Sequence, residues 1–105
     1  MAKIKVWLKK PGEPPKHGLI TNSLGALQAK VQGYIETVTL ADNLVIICNE
    51  EGRIRGLPYN CEISGWDFCG TIIIAGVDGP EFADCPLSED QMKRMFPDLW
   101  EVDDA

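Results

Sequence analysis

The chain has 105 residues, of which 45% are hydrophobic and 25% are charged, and its formal net charge is −6. This length corresponds to one domain, residues 1–105, with enough apolar residues for a buried core. The composition excludes a disordered or collagen-like chain. The longest apolar run, at residues 71–77, is much shorter than the roughly 20 residues of a membrane helix. The first residues also lack a signal-peptide core, so we expect a cytoplasmic protein with no membrane contact.

Positive and negative charges are unevenly distributed along the chain. Residues 1–30 have a net charge of +5 and residues 31–105 a net charge of −11. An acidic chain repels phosphate backbones, so nucleic acid is a disfavoured partner. We interpret the acidic C-terminal region, with a tail at about 98–105, as a solvated surface; docking on a basic partner is the alternative.

Lysine and apolar residues alternate over residues 3–9, which predicts a strand with one buried face. The buried face carries Ile4, Val6 and Leu8, and the other face carries Lys5, Trp7 and Lys9. An exposed Trp7 between amines would stack on a base of single-stranded nucleic acid. The alternative, which we favour, is that the C-terminal helix or Trp100 covers Trp7.

A second strand and a helix follow. Residues 16–21 are predicted to pair back on the first strand after a proline-rich loop. The Asn-Ser pair at 22–23 caps a helix that ends at about Gln32, because apolar residues recur there at helical spacing. Gly33 is predicted to adopt the left-handed conformation after the helix.

The middle of the chain predicts further strands. In chain order they are a strand at 34–40, a central strand at 44–48, an edge segment at 53–57, an irregular stretch at 59–68 and a second central strand at 71–75. Both central strands are continuously apolar, as in strands covered on both faces. The Asn-Glu-Glu-Gly segment that follows the first of them predicts a hairpin turn in which Gly52 adopts a positive φ.

The last predicted helix begins at Ser88, because Gln91 lies three residues later, as in a capping box. Pro97 ends this helix, and Leu99 and Trp100 are predicted to pack on the sheet. The predicted order, ββαβββ(β)α, indicates an α+β domain: a mostly antiparallel sheet of four to six strands packed by one or two helices.

The cysteines carry no recognisable metal or disulfide signature. Cys48, Cys61, Cys69 and Cys85 contain no CxxC pair, and His17 is the one histidine. We therefore predict free thiols and neither a metal nor another cofactor; a zinc site assembled in space is the alternative. A Cys/His hydrolase is rejected, because a nucleophilic thiol needs a base close to it.

The candidate ligand-binding residues are Asn49, Glu50, Glu51, Asn60 and Glu36. Carboxylates and amides in one pocket would hold a ligand rich in hydrogen-bond donors. The structural alternative is that the Asn-Glu-Glu-Gly turn only reverses the chain and that Asn60 caps a backbone loop. A third interpretation is a small hydrolase or ligand-modifying enzyme that uses Glu50, Glu51 and Asn60. That enzyme requires burial that separates the pKa values of the glutamates.

Several segments resemble one family of small proteins. They are LGALQ at 24–28, VQGYIE at 31–36, CNEEGR at 48–53, GLPYN at 56–60 and the apolar stretch at 70–76. Over residues 4–76 the chain resembles the DUF3846 family, a domain of unknown function that phages, plasmids and conjugative elements of bacteria encode. The resemblance implies a mobile-element origin and a bacterial host, and it implies no established activity.

Together these observations predict a non-catalytic binding protein. It would contact a host protein or sequester a small molecule in the cytoplasm of a bacterial host, with counter-defence as one role. The small enzyme and the binder of single-stranded nucleic acid are the alternatives. An exposed sheet edge is predicted to allow a homodimer.

Overall fold

Each pair of neighbouring strands in the main sheet runs antiparallel. The structure, a computed structural model, describes residues 2–102, and Asp103 and Asp104 of the predicted acidic tail lie outside that range. Its elements are β1 (Lys3–Lys9), β2 (Lys16–Thr21), α1 (Leu24–Val31), β3 (Ile35–Ala41), β4 (Leu44–Asn49), β5 (Tyr59–Ile63), β6 (Trp66–Cys69), β7 (Ile72–Asp78), β8 (Glu81–Ala83), α2 (Glu89–Met95) and a 3₁₀-helix (Pro97–Trp100). The predicted α+β class, with an antiparallel sheet and two α-helices, is confirmed.

The main sheet has six strands in the order β2–β1–β7–β4–β3, with β8 paired to the end of β7, and β5 and β6 form a separate hairpin. The central strands β4 and β7 contain the two predicted apolar runs. Ile46, Ile47 and residues 72–75 in these strands are 0% exposed. The prediction of two strands covered on both faces is confirmed. No helix within residues 2–102 is long and apolar enough to cross a bilayer.

Different elements cover the two faces of the sheet. On one face, α1 packs Leu27 and Val31 against the buried residues Ile4, Val6, Ile20, Val45, Ile47, Ile73 and Ala75. The β5–β6 hairpin, α2 and the 3₁₀-helix cover the other face, where the buried residues are Trp7, Val38, Leu44, Ile46, Cys48, Ile63, Phe68, Ile72, Ile74, Met92 and Leu99. The sheet is therefore the middle one of three layers, and β1 is covered on both faces.

Trp7 is only 2% exposed and lies between two aromatic rings. The His17 ring lies against it with centroids 3.7 Å apart and planes tilted by 36°, and the Trp100 ring meets it edge-on at 6.0 Å. The indole Nε1 donates a hydrogen bond to the Leu87 carbonyl oxygen (3.1 Å). The prediction of a covered Trp7 is confirmed. The prediction that β1 buries only one face is wrong, because the C-terminal segment covers the second face.

Residues 50–56 form consecutive turns, so the predicted hairpin turn and the edge segment after it are wrong. The Arg55 amide donates to the Glu51 carbonyl oxygen (2.8 Å), which closes one of these turns. Gly52 does not have a positive φ. A Cβ at Gly52 would lie 2.6 Å from the Cys69 carbonyl oxygen. Close packing against the chain, and not an unusual backbone conformation, requires the glycine there.

Two further predictions fail for local reasons. The stretch at 59–68, predicted to be irregular, is the β5–β6 hairpin, whose two-residue turn places Ser64 and Gly65 at φ 51° and 85°. At the end of α1, Gln32 (φ 64°) adopts the left-handed conformation predicted for Gly33. A Cβ at Gly33 would collide with two neighbouring side chains, so this glycine also serves close packing.

The predicted capping box at the start of α2 is confirmed. The Gln91 amide donates to Ser88 Oγ (3.2 Å), and the Ser88 amide donates to Gln91 Oε1 (2.8 Å). Met92 is 0% exposed and Leu99 is 2% exposed. Both residues, together with the partly buried Trp100, belong to the core on the Trp7 side of the sheet, which confirms the predicted packing of the chain after Pro97.

The buried position of Trp7 predicts a large stability effect. We expect Trp7→Ala to lower the free energy of unfolding by about 3–5 kcal/mol, because it leaves a cavity between the sheet and the C-terminal segment. The measurement is urea denaturation followed by far-UV circular dichroism. Trp66→Ala is the matched control, since Trp66 is 56% exposed, and its effect should stay below about 1 kcal/mol. Equal losses in the two variants would contradict the covered Trp7.

Candidate functional site

The structure distributes the predicted site residues over three pockets. Glu36, Asn49 and Glu50 line a pocket of about 200 Å³, and Asn49 and Glu51 line another of about 310 Å³. Asn60 lines a separate pocket of about 560 Å³. Glu36, Asn49 and Glu50 are thus brought together, whereas Asn60 lies elsewhere. The two glutamates of the hypothetical enzyme therefore share no pocket with its asparagine.

Asn49 uses both ends of its amide to hold the fold together. It is 6% exposed, and its Nδ2 donates to the Val31 carbonyl oxygen (2.9 Å) at the end of α1. Its Oδ1 accepts from the Glu51 amide (2.7 Å), which shapes the turn after β4. A buried carbonyl at a helix end needs such a partner. The side chain of Asn49 therefore serves the backbone, as the structural alternative supposed.

Glu36, Glu50 and Glu51 are all solvent-exposed. The burial that would make two neighbouring carboxylates behave differently, one as an acid and one as a base, is therefore missing at these residues. The pocket that contains Glu36 and Glu50 is also lined by Asp67, whose carboxylate is paired with Arg53 (3.5 Å). This region is an exposed, mostly acidic surface, and every buried side-chain N or O atom of residues 2–102 already has a hydrogen-bond partner.

Lys9 is 2% exposed, although the sequence pattern predicted an open face for it. Its Nζ donates a hydrogen bond to Asn60 Oδ1 (2.8 Å). Asn60 Nδ2 in turn donates to the carbonyl oxygens of Lys9 (2.8 Å) and Gly70 (2.7 Å). Because both Nδ2 hydrogens are taken by carbonyls, the amide oxygen is the atom left to face the ammonium. Asn60 thereby joins the end of β1 to Gly70, the residue after β6, and bonds the Lys9 side chain.

The surroundings of the Lys9 ammonium leave its charge without a close counterion. Within residues 2–102, no carboxylate lies within 4.0 Å of Nζ. Burial lowers the pKa of Lys9 from its ordinary 10.5, and the negative charges of Cys61, when it is ionised, and of Glu13 oppose this shift. Burial also raises the pKa of Cys61 to about 11, so its thiol is neutral at pH 7. A buried cation with only neutral groups beside it is unfavourable unless another group offsets the cost.

The pocket beside this ammonium is large enough for a small molecule. Its volume of about 560 Å³ falls within the range of about 300–1,000 Å³ that is typical of ligand sites. Its less exposed lining residues include Lys9, Asn60 and Cys61, and its exposed ones include Glu62, Asp98 and Glu101. Sequence analysis missed Lys9 as a member of this site. The available signal was its position two residues after Trp7, on the same face of β1.

All four cysteines are free. Cys48 is buried and its Sγ donates to the Glu36 carbonyl oxygen (3.6 Å), and burial raises the pKa of this thiol to about 11. Burial also raises the pKa of Cys85. Within the described part of the chain, no three His, Cys, Asp or Glu side chains are grouped so that they could hold a metal ion. The raised pKa values of Cys48, Cys61 and Cys85 disfavour thiolate chemistry at these three residues.

The fold and the pocket together define an α+β domain with one buried ammonium beside a cavity of ligand size. The chain belongs to the family described as "Domain of unknown function (DUF3846)", whose model matches residues 4–100. This match extends the resemblance found in the sequence to the C-terminal helices that cover Trp7 and Lys9. No curated protein and no solved structure matches the chain.

The two hydrogen bonds of Asn49 predict a stability role for this residue. We expect Asn49→Ala to lower the free energy of unfolding by about 1–3 kcal/mol, because the buried Val31 carbonyl loses its donor. The exposed neighbour Glu50 supplies the control, and Glu50→Gln should change stability by less than about 0.5 kcal/mol. Urea denaturation measures both. If Asn49→Ala were as stable as Glu50→Gln, the structural role of Asn49 would be refuted.

The buried ammonium predicts a specific dependence of stability on pH. The pKa of Lys9 lies below 10.5 in the folded protein and returns to 10.5 on unfolding. Between these values the unfolded chain binds more protons, so Lys9 makes the free energy of unfolding rise with pH in that window. Lys9→Met lacks this contribution. We therefore expect the stability difference, wild type minus variant, to increase as the pH rises towards 10.5.

Denaturation at a series of pH values tests this dependence. Cys48, Cys61 and Cys85 have raised pKa values and lower the stability of both proteins as the pH rises, so the comparison is made between the two proteins at each pH. Lys10→Met controls for the loss of one positive charge at an exposed neighbour. A stability difference that stays constant or falls with pH would contradict a desolvated Lys9.

Proposed function

We propose that the protein is a non-catalytic binding protein of a phage or other mobile element, and that it holds a small molecule in the pocket lined by Lys9 and Asn60. The observation that carries this proposal is Lys9, a residue that is 2% exposed and lines a pocket of about 560 Å³. Within residues 2–102, the one hydrogen-bond acceptor of its ammonium is a neutral amide oxygen. A buried charge without a counterion lowers stability. A ligand that supplies an acceptor would offset this cost.

The arrangement of the other candidates supports binding over the alternatives. Glu50 and Glu51 do not share a pocket with Asn60, and the Asn60 amide is already occupied by three hydrogen bonds. Single-stranded nucleic acid would need a free indole at Trp7, and that ring is 2% exposed. A small ligand in the Lys9 pocket requires neither a catalytic pair nor an exposed aromatic ring.

The mobile-element part of the proposal is supported by the resemblance to a family that phages, plasmids and conjugative elements encode. A binding protein of this kind acts in the cytoplasm of a bacterial host by withholding a small molecule, and counter-defence is one such role. Contact between the acidic C-terminal surface and a host protein stays a prediction, as does pairing of two copies through a sheet edge. The strand β3 forms one free edge of the sheet and contains neither proline nor lysine to block such pairing.

A capture experiment tests the binding function. The wild-type protein is incubated with the small-molecule fraction of a bacterial cell extract and examined by native mass spectrometry. We expect a non-covalent adduct of defined mass on the wild type. Val102→Trp and Glu62→Trp, which enlarge two side chains lining the pocket, should each reduce the adduct at least tenfold. Thr39→Trp, at an exposed position of β3, is the control for the added indole and should retain it.

The same experiment distinguishes binding from catalysis. A ligand released by unfolding should have the mass of a compound already present in the extract, since the proposed protein does not transform it. A released compound that appears only after incubation would favour the enzyme. No adduct on the wild type, or an equal adduct on all the tryptophan variants, would refute binding in the Lys9 pocket.

A further inference from the structure

The Lys9 ammonium in the wall of the pocket favours a ligand with a negatively charged group. An ammonium carries three N–H donors, and within residues 2–102 Lys9 Nζ has one acceptor, Asn60 Oδ1. The neighbouring Cys61 offers a neutral thiol. A carboxylate placed against Nζ would make a charge-assisted hydrogen bond of about 2.7–2.9 Å and neutralise the buried charge. A purely apolar or purely cationic ligand would leave the charge of the ammonium unneutralised.

The acidic side chains on the exposed side of the same pocket favour a positively charged group on the ligand. Glu62 on β5, Asp98 in the 3₁₀-helix and Glu101 after it all line the pocket and are solvent-exposed. None of the three forms an ion pair with a cation of residues 2–102. They repel a ligand that carries several negative charges, such as a nucleoside polyphosphate, for which one lysine is insufficient compensation. They attract an ammonium or a guanidinium.

From these two sides, and resting on the proposed function, we infer that the ligand is a small zwitterion of the amino-acid type. Its carboxylate bonds to Lys9 Nζ, and its cationic end lies beside Asp98 and Glu101. Asn60 orients the ammonium through its amide oxygen, which its two bonds to backbone carbonyls hold in place. The pocket of about 560 Å³ accommodates such a molecule together with water.

A matched series of probes tests the charge pattern. Linear ω-amino acids of three to six carbons carry both charges, the monocarboxylates of the same length carry only the carboxylate, and the primary amines carry only the cation. Isothermal titration calorimetry measures each affinity. We expect at least one ω-amino acid to bind the wild type about tenfold or more tightly than its matched carboxylate and its matched amine. Equal affinity for the carboxylate, or no binding by any ω-amino acid, would overturn the inference.

Variants at the two ends should change the affinity for the carboxylate in opposite directions. Lys9→Met should weaken the ω-amino acid and the carboxylate by about tenfold to hundredfold, as for loss of a charged hydrogen bond. Glu101→Gln and Asp98→Asn should lower the affinity for the ω-amino acid a few-fold, because its cationic end loses an acidic partner. They should raise the affinity for the carboxylate, because a repelling negative charge is removed. Lys5→Met, at an exposed lysine of the same strand, controls for net charge and should leave every affinity within about twofold.

The outcomes separate this inference from the proposed function. If ω-amino acids fail to bind while the native mass spectra show a ligand that Val102→Trp excludes, the zwitterion is refuted and small-ligand binding stands. If neither probe nor extract yields a ligand, both are refuted. Because Asp98 and Glu101 are exposed, their variants keep the inference testable even if Lys9→Met were to fold poorly. In that case, weaker binding of the carboxylate by Glu101→Gln than by the wild type would overturn the zwitterion inference.

Discussion

The C-terminal segment covers the face of β1 that carries Trp7 and Lys9, and this contact shapes both the core and the candidate site. Met92 of α2 and Leu99 of the 3₁₀-helix close the core over Trp7. Two residues further along β1, the same cover meets a lysine in place of an apolar side chain. The result is a lysine residue that is 2% exposed and lines a pocket.

The parts of the fold that were predictable are those that local signals encode. The continuous apolar runs identified β4 and β7 as central strands, and the Ser88 capping box located the start of α2. Alternation in β1 reported which residues share a face but not whether a second layer covers that face, so the burial of Lys9 was missed. Gly52 was misjudged for a similar reason: its partner, the Cys69 carbonyl, is distant in sequence and only the folded chain brings the two together.

The candidate site shows the same division between local and tertiary information. Asn49 and Asn60 were predicted to bind a ligand, and the structure shows that both amides largely satisfy backbone groups. Asn60 differs in one respect, because its oxygen faces the Lys9 ammonium. Composition and spacing give no indication of that contact between residues 9 and 60. Membership of the DUF3846 family carries no activity with it, so the functional argument depends on this buried charge and the acidic residues around its pocket.

The most direct test of the account is the titration of Lys9 itself. In protein labelled with ¹³C at lysine Cε, the resonance absent from Lys9→Met identifies Lys9, and its chemical shift is followed from neutral pH to above pH 10.5. The account predicts a midpoint clearly below 10.5 and a shift of this midpoint upwards when a carboxylate-bearing ligand is bound. A midpoint at the ordinary 10.5 of a hydrated lysine, unchanged by every probe, would show that Lys9 is not a desolvated cation and would contradict the account.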